Sequence, residues 1–227
     1  MAPKTIIQLN EDAIFFLKDG DHQRTTSTLL TAFTFLDSVT TMSAQHAQLD
    51  PAFGFKRKLP PIASFEIPET PVPHGYHVGN DLFTYYNRAL SVPACMGDMS
   101  YESNTRLSAI IQYNLGLAYH RAGIQENSTA QLSKALQLYE GAYFTIERVK
   151  DRVHMEDVFV LLLGIFFNMT HIHCNSFNLT ECNHCMDWMK IALASRECVT
   201  LREDDYLFFS TNISLLSIQM PHLAPAA

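Results

Sequence analysis

The sequence predicts an all-α protein of stacked antiparallel helical hairpins, with about seven helices and one irregular excursion rich in proline and aromatic residues. Apolar residues recur at three- and four-residue steps through most of the 227 residues, which is the period of an amphipathic helix. Pairs of such segments share one spacing of small and large residues, which indicates an internal repeat. With 47% hydrophobic and 17% charged residues, the chain can bury a core. We interpret residues 1–227 as one domain.

The first hairpin is predicted over residues 5–45. Its first helix, residues 5–18, has an apolar face made by Ile6, Leu9, Ala13, Phe16 and Leu17. Gly20 follows, as glycine often does just past the end of a helix. The helical period resumes from residue 22, so two helices joined at Gly20 form an antiparallel pair.

The excursion is predicted over residues 50–103, which hold seven of the ten prolines. Proline fixes φ and removes a backbone donor, so long helices are disfavoured there. The aromatic residues of this stretch need burial, and we expect an ordered segment lying on the helices. Short extended pieces are predicted at Ala63–Ile67 and Leu82–Ala89. A looser loop is the alternative.

Two further hairpins are predicted over residues 104–197, followed by a C-terminal helix over 204–220. The helices of the hairpins are expected at 104–122, 129–150, 155–175 and 181–197, with Gly123 closing the first of them. The last helix begins in an acidic stretch, which suits a helix N-terminus, and we expect it to stop at Pro221.

The repeat is defined by small and large residues at fixed separations. In the first hairpin, separations of 3, 4, 5, 4 and 3 join Ala13, Phe16, Gly20, Thr25, Leu29 and Ala32. The second hairpin matches them, apart from a longer turn, with Gly116, Tyr119, Gly123, Ala135, Tyr139 and Ala142. The third has Thr170, His173, Phe177, Cys185, Met189 and Ala192. Small residues let two helices cross closely while large ones fill the groove beside them. A generic helical bundle is the alternative.

These residues resemble the tetratricopeptide-repeat family, most closely in Asn114 to Tyr119 followed by Ala135-Leu136 and Tyr139 to Ala142. The resemblance covers residues 5–45 and 104–197 and implies an α-solenoid. The usual Trp of the opening helix and the Pro that ends a repeat are absent, which makes the chain a divergent member. The order of parts also resembles a set of tetratricopeptide-like proteins abundant in diatoms.

The resemblance implies a non-enzymatic scaffold that binds a peptide or a partner protein in a concave groove. The first helix of each hairpin then lines the groove, through Asn10, Ile14, Lys18, Tyr113, Leu117, His120, Arg121, Phe167, His171 and Cys174. The family's carboxylate clamp needs converging Lys, Arg and Asn, and here they are scattered, so binding of a peptide C-terminus is not predicted. Two alternatives stay open: the excursion fills the groove itself, or the chain is a structural subunit of a larger assembly.

A cluster of potential zinc ligands lies in residues 171–185. His171, Cys174, Cys182 and Cys185 supply four side chains, and the last two have CxxC spacing. Such a set across a helical turn can form a tetrahedral zinc site, so a small zinc-stabilised helical domain is an alternative function. The competing interpretation is that the thiols are core residues. No other cofactor is predicted.

Other functional classes find no support in the sequence. No catalytic residue is predicted, because a Cys174 nucleophile with His171 lacks an orienting acid and an oxyanion hole. The net charge of −7 argues against a nucleic-acid partner. The longest apolar run, residues 158–167, is about half of a membrane span. Five cysteines form no even set of disulfides, which favours an intracellular, cytoplasmic location.

Overall fold

In a computed structural model of the chain, the residues described are 3–47, 56, 58–68, 84–93 and 100–219. They contain seven α-helices: α1 Pro3–Lys18, α2 His22–Ala47, α3 Tyr101–Gln125, α4 Thr129–Glu147, α5 Phe159–Asn175, α6 Leu179–Leu193 and α7 Glu203–Gln219. The described residues also contain two short strands, β1 Ala63–Glu66 and β2 Arg88–Ser91, and two 3-10 turns, Met155–Asp157 and Arg196–Thr200. The all-α prediction is confirmed, and each predicted helix lies within a few residues of an observed one.

Each pair of helices, α1–α2, α3–α4 and α5–α6, is joined by a turn with the same backbone geometry. One residue in each turn has a positive φ: Gly20 at 77°, Asn127 at 49° and Phe177 at 55°. The amide of the next residue then bonds to a carbonyl five residues back, as in Asp21 N to Phe16 O at 2.9 Å. This satisfies a carbonyl that the end of the helix leaves open.

The prediction that Gly123 ends the first helix of the second hairpin is wrong, because α3 continues to Gln125. The left-handed position is taken by Asn127, which adopts that conformation more readily than most residues. Gly123 instead permits close packing, since a Cβ there would lie 2.7 Å from Leu132 Cδ2. The third turn uses Phe177, as the repeat spacing implies.

The excursion contributes a two-stranded antiparallel sheet whose register pairs Ala63 with Ser91 and Glu66 with Arg88. The first extended piece lies where it was predicted. The second is displaced from Leu82–Ala89 to Arg88–Ser91, because pairing with β1 selects those residues. Most of 50–103, and the stop predicted at Pro221, lie outside the described residues.

Buried polar bonds fix the sheet to the helices. Arg106 of α3, which is buried, donates from Nη1 to the carbonyls of Pro60 at 2.6 Å and Asp157 at 3.1 Å. The Asp157 carboxylate accepts from the amide of Leu59 at 2.8 Å. Burial lowers the pKa of Arg106 to about 10. The start of the sheet is thus tied to α3 and to the turn before α5. No helix among the described residues is long and apolar enough to cross a membrane.

Candidate functional site

The candidate site is the inner face of α1, α3 and α5, the first helices of the three hairpins. We call these the groove helices. Residues 84–93, which include β2, lie against this face and are called the groove segment. The interior of the groove segment is fully covered, since Tyr86, Ala89 and Leu90 have 0% of their surface exposed.

The main chain of Leu90 is held by two asparagines. Asn114 Oδ1 accepts from Leu90 N at 2.8 Å, and Asn114 Nδ2 donates to Leu90 O at 2.7 Å. Asn10 of α1 donates to the same carbonyl at 3.1 Å and accepts from Asn114 Nδ2 at 2.8 Å. Both amides are buried, so they and the Leu90 peptide groups satisfy one another.

Asn168 of α5 holds the main chain of Tyr86 in the same way. Its Oδ1 accepts from Tyr86 N at 2.8 Å, and its Nδ2 donates to Tyr86 O at 3.3 Å. Asn114 stands two residues before Gly116, and Asn168 two residues before Thr170, which are equivalent positions in the repeat. Successive repeats therefore hold residues four apart in the extended segment.

Together these contacts replace a neighbouring strand. In a strand, alternate residues direct their N–H and C=O groups to opposite edges. At one edge of the groove segment, Asn87 O accepts from Ile67 N at 3.0 Å, which continues the pairing with β1. At the other edge lie Tyr86, Arg88 and Leu90, and the middle carbonyl, Arg88 O, accepts from Tyr113 OH at 3.0 Å. Side chains of the groove helices thus occupy the place of a third strand.

The side chain of Tyr86 enters a pocket formed with α7. Its hydroxyl donates to Asp205 Oδ1 at 2.6 Å, and its ring centroid lies 4.6 Å from that of Phe209. Asp205 also accepts from Ser64 Oγ at 2.9 Å and Arg88 Nη1 at 3.1 Å. Burial, and then the Asp205 charge, raise the pKa of the Tyr86 phenol well above its ordinary value. The phenol therefore stays protonated and acts as a donor.

A histidine pair lies beside the Tyr86 site. His120 Nε2 and His171 Nδ1 are 3.0 Å apart, and the ring centroid of Tyr85 lies 4.8 Å from that of His120. Tyr139 OH lies 3.3 Å from His120 Nδ1. Burial lowers the pKa of His171 to about 4, and burial and then the His171 charge lower that of His120 well below its ordinary value. Both imidazoles are therefore neutral at pH 7 and share one hydrogen bond.

The structure places the predicted groove residues under the groove segment or in the adjoining core. Nine of the ten predicted side chains are buried: Asn10, Ile14, Tyr113, Leu117, His120, Arg121, Phe167, His171 and Cys174. Arg121 donates to Asn87 Oδ1 and Pro68 O, both at 3.0 Å. Lys18 is exposed, with Nζ 5.3 Å from the ring centroid of Phe65. These residues thus contact the chain itself, and their binding of a partner stays a prediction.

The structure does not gather the four predicted zinc ligands. Among the described residues there is no group of three or more His, Cys, Asp or Glu side chains placed to hold a metal ion. His171 is directed to His120. The thiols of Cys174 and Cys182 share a hydrogen bond, which lowers the pKa of Cys174 and raises that of Cys182. Burial raises the pKa of Cys185 to about 11. The four predicted ligands are therefore not arranged as one tetrahedral site. Zinc binding itself stays a prediction, which native mass spectrometry would test.

Sequence reasoning missed the residues that hold the groove segment most directly. Asp205 belongs to the acidic stretch that predicts a helix start, and Tyr86 is one of several aromatic residues in the excursion, so the sequence marks neither as a site residue. The signal that could have found Asn168 is its equivalence to Asn114 in the repeat. No sequence signal connects Asp205 to Tyr86, which lie 119 residues apart.

Comparison of the chain with protein-family models, with curated proteins and with solved structures gave no match in any of the three.

Proposed function

We propose that the protein is a non-enzymatic interaction scaffold of tetratricopeptide type, which binds an extended segment of polypeptide along α1, α3 and α5. One observation carries the proposal. Asn114 and Asn168 each bond to both the N–H and the C=O of a single residue, at repeat-equivalent positions on successive first helices. Such paired contacts are suited to a main chain and independent of its side chains.

The chemistry of the groove favours polypeptide over a small molecule. The side-chain oxygens of Asn114 and Asn168 are buried and accept from the main-chain N–H groups of Leu90 and Tyr86. A ligand that fills the groove without such donors would leave these oxygens unsatisfied, at a cost of about 1 to 3 kcal/mol for each polar group. A strand offers donors and acceptors at a regular spacing of about 6.6 Å per two residues. Asn168, Tyr113 and Asn114 meet that spacing, since they bond to Tyr86, Arg88 and Leu90 in turn.

The repeated turn geometry supports the stacked, solenoid-like part of the proposal. Gly20, Asn127 and Phe177 give three hairpins the same closing bond. Units that close alike can stack with the same relative rotation, which places their first helices on one side. An intracellular location is proposed from the five cysteines of the sequence, an odd number that forms no even set of disulfides.

The proposal is tested by affinity purification of the tagged protein from cells that express its gene. Asn114→Ala removes the bidentate contact, and we expect it to lose the partner that the unaltered protein retains. Gln8→Ala is the matched control, because it truncates an exposed amide on α1 that bonds only to Asp12 among the described residues.

Circular dichroism must show that both variants keep their helices. Retention of the same partner by a folded Asn114→Ala protein would count against binding in the groove. Loss of the partner by both variants would place the contact elsewhere on the surface.

A further inference from the structure

The groove segment is bound as a ligand would be bound. Its main chain is held at Tyr86, Arg88 and Leu90 by side chains of the groove helices. These helices come from other parts of the chain: Asn10 lies 80 residues from Leu90, and Asn168 lies 82 residues from Tyr86. The segment therefore occupies the groove through long-range contacts whose geometry a separate peptide can reproduce.

Three side chains of the segment add selectivity to the main-chain contacts. The Tyr86 hydroxyl reaches the buried Asp205, at the pocket floor. Arg88, two residues on, bonds to the same carboxylate at 3.1 Å and lies 3.9 Å from Glu66. Leu90, four residues on, is enclosed in the main core. A tyrosine, a basic residue and an aliphatic residue at alternate positions thus match the groove.

We infer that residues 84–93 are an intramolecular ligand of the groove, and that the partner is an extended peptide with a tyrosine, a basic residue and an aliphatic residue at alternate positions, which competes with that segment. The inference rests on the proposed function. The partner binds by displacing the resident segment, so its apparent affinity is its intrinsic affinity multiplied by the fraction of molecules in which the groove is open.

The test uses a labelled synthetic peptide with the sequence of residues 84–93 and the full-length protein. Tyr86→Ala removes the main anchor of the resident segment and leaves every side chain of the groove in place. We expect the peptide to bind this variant at least about tenfold more tightly than the unaltered protein, because the variant segment is easier to displace. Fluorescence anisotropy measures the binding.

Thermal unfolding gives a second readout. Peptide that replaces the weakened segment stabilises the folded state, so the Tm of Tyr86→Ala should rise with peptide concentration. Phe166→Ala is the matched control: it truncates a buried ring that stacks on Trp188 at 4.2 Å between α5 and α6, away from the groove segment. We expect the peptide to leave its Tm unchanged.

Specificity is tested within the peptide. Replacing the tyrosine that corresponds to Tyr86 by phenylalanine removes the bond to Asp205, and we expect binding about tenfold weaker, as for the loss of a hydrogen bond to a charged group. A peptide of scrambled sequence should not bind.

Should Tyr86→Ala fail to fold even with peptide, Arg88→Ala serves in its place, because it removes the ion pairs of the segment with Asp205 and Glu66 and leaves Asp205 available. The inference would be overturned if the peptide bound the unaltered protein and the folded Tyr86→Ala or Arg88→Ala variant with equal affinity. It would also be overturned if the peptide raised the Tm of Phe166→Ala as much as that of Tyr86→Ala. If the unaltered protein captures a partner that Asn114→Ala loses, and no variant binds the peptide, the inference that residues 84–93 are an intramolecular ligand is overturned and the proposed function stands. Peptide binding without any captured partner would leave only the proposed function in question.

Discussion

Asp205 lies in the first turn of α7 with 2% of its surface exposed, and three side chains donate hydrogen bonds to it. Two of the donors, Tyr86 and Arg88, belong to the groove segment, and the third, Ser64, belongs to β1. A buried carboxylate is tolerated because these donors replace its water. This one residue therefore joins both strands of the sheet to the last helix.

Asp205→Asn should destabilise the protein by about 3 kcal/mol, because it leaves Arg88 without its buried counter-charge and replaces one of the two accepting carboxylate oxygens by an N–H donor. Urea unfolding measures the change. The control is Asp204→Asn, an exposed neighbour that lies 3.7 Å from Arg202, where we expect a loss under about 1 kcal/mol. Equal losses in the two variants would contradict the role given to Asp205.

The buried histidine pair predicts that the protein loses folding stability at acidic pH. Burial lowers the folded-state pKa of His171 to about 4, against an ordinary value of 6.5, so the unfolded chain binds the proton first. Stability contributed by the neutral pair is complete above about pH 6.5 and is lost as the pH falls from there toward 4. For His171 alone the loss is about 2 kcal/mol by about pH 5.

Urea unfolding at about pH 7.5 and about pH 5 tests this prediction. His171→Gln removes one titrating group, so its stability should fall less between the two pH values than that of the unaltered protein. His184→Gln, at an exposed position on α6, should show the full loss. An unchanged pH dependence in His171→Gln would show that other groups cause the acid sensitivity.

At the scale of elements, the hairpins depend on close contact between their two helices. Gly116 of α3 faces the ring of Tyr139 on α4, and a Cβ at position 116 would lie 2.8 Å from Tyr139 Cε1. The ring cannot easily move aside, because Tyr139 is fully buried and its hydroxyl accepts from Asn168 Nδ2 at 3.1 Å. The glycine is therefore required by packing.

Gly116→Ala should destabilise the protein by about 1 to 2 kcal/mol, because the held ring puts the overpacking cost at about 2 to 3 kcal/mol and the gain in helix propensity offsets about 1 kcal/mol of it. Thermal or urea unfolding measures the effect. Gly141→Ala is the matched control, because its Cβ would meet only Gln112 Oε1, the end of a flexible side chain, at 2.7 Å. There we expect a change within about 1 kcal/mol. A neutral Gly116→Ala would show that α3 and α4 are free to separate.

At the scale of the whole molecule, the groove segment links elements that a simple repeat array would leave independent. In such arrays each repeat contacts only its neighbours, and unfolding can proceed from one end. Here residues 84–93 bond to α1 through Asn10, to α3 through Asn114, to α5 through Asn168 and to α7 through Asp205. The first hairpin is therefore coupled to the last helix.

We expect urea unfolding to be a single transition, in which helix content by circular dichroism and the fluorescence of Trp188 change together. Trp188 is the sole tryptophan of the chain and lies in α6, so it reports on the third hairpin. Asn10→Ala weakens the link to α1 and should lower the circular-dichroism midpoint more than the fluorescence midpoint. Gln8→Ala should lower neither. Separate transitions in the unaltered protein would contradict the coupling.

The positions of the helices are predictable from the sequence, because the signals for each helix are local. The three- and four-residue apolar period predicts α1 to α7 to within a few residues, and Gly20 marks the first turn. The error at Gly123 has a local cause: a glycine serves either a helix end or a close helix contact, and periodicity does not distinguish the two. The repeat spacing also placed Ala135 and Tyr139 in the core, where both are fully buried.

The site was decided by tertiary structure. The residues that cover the site are brought there by contacts between distant parts of the chain. Tyr86 and Asp205, for example, are separated by 119 residues. Strand register was likewise set by pairing with β1 and by the amides of Asn114 and Asn168, so the second strand could not be located from composition alone. Local sequence specifies the period of a helix, whereas hydrogen bonds between distant residues form only after the helices have packed.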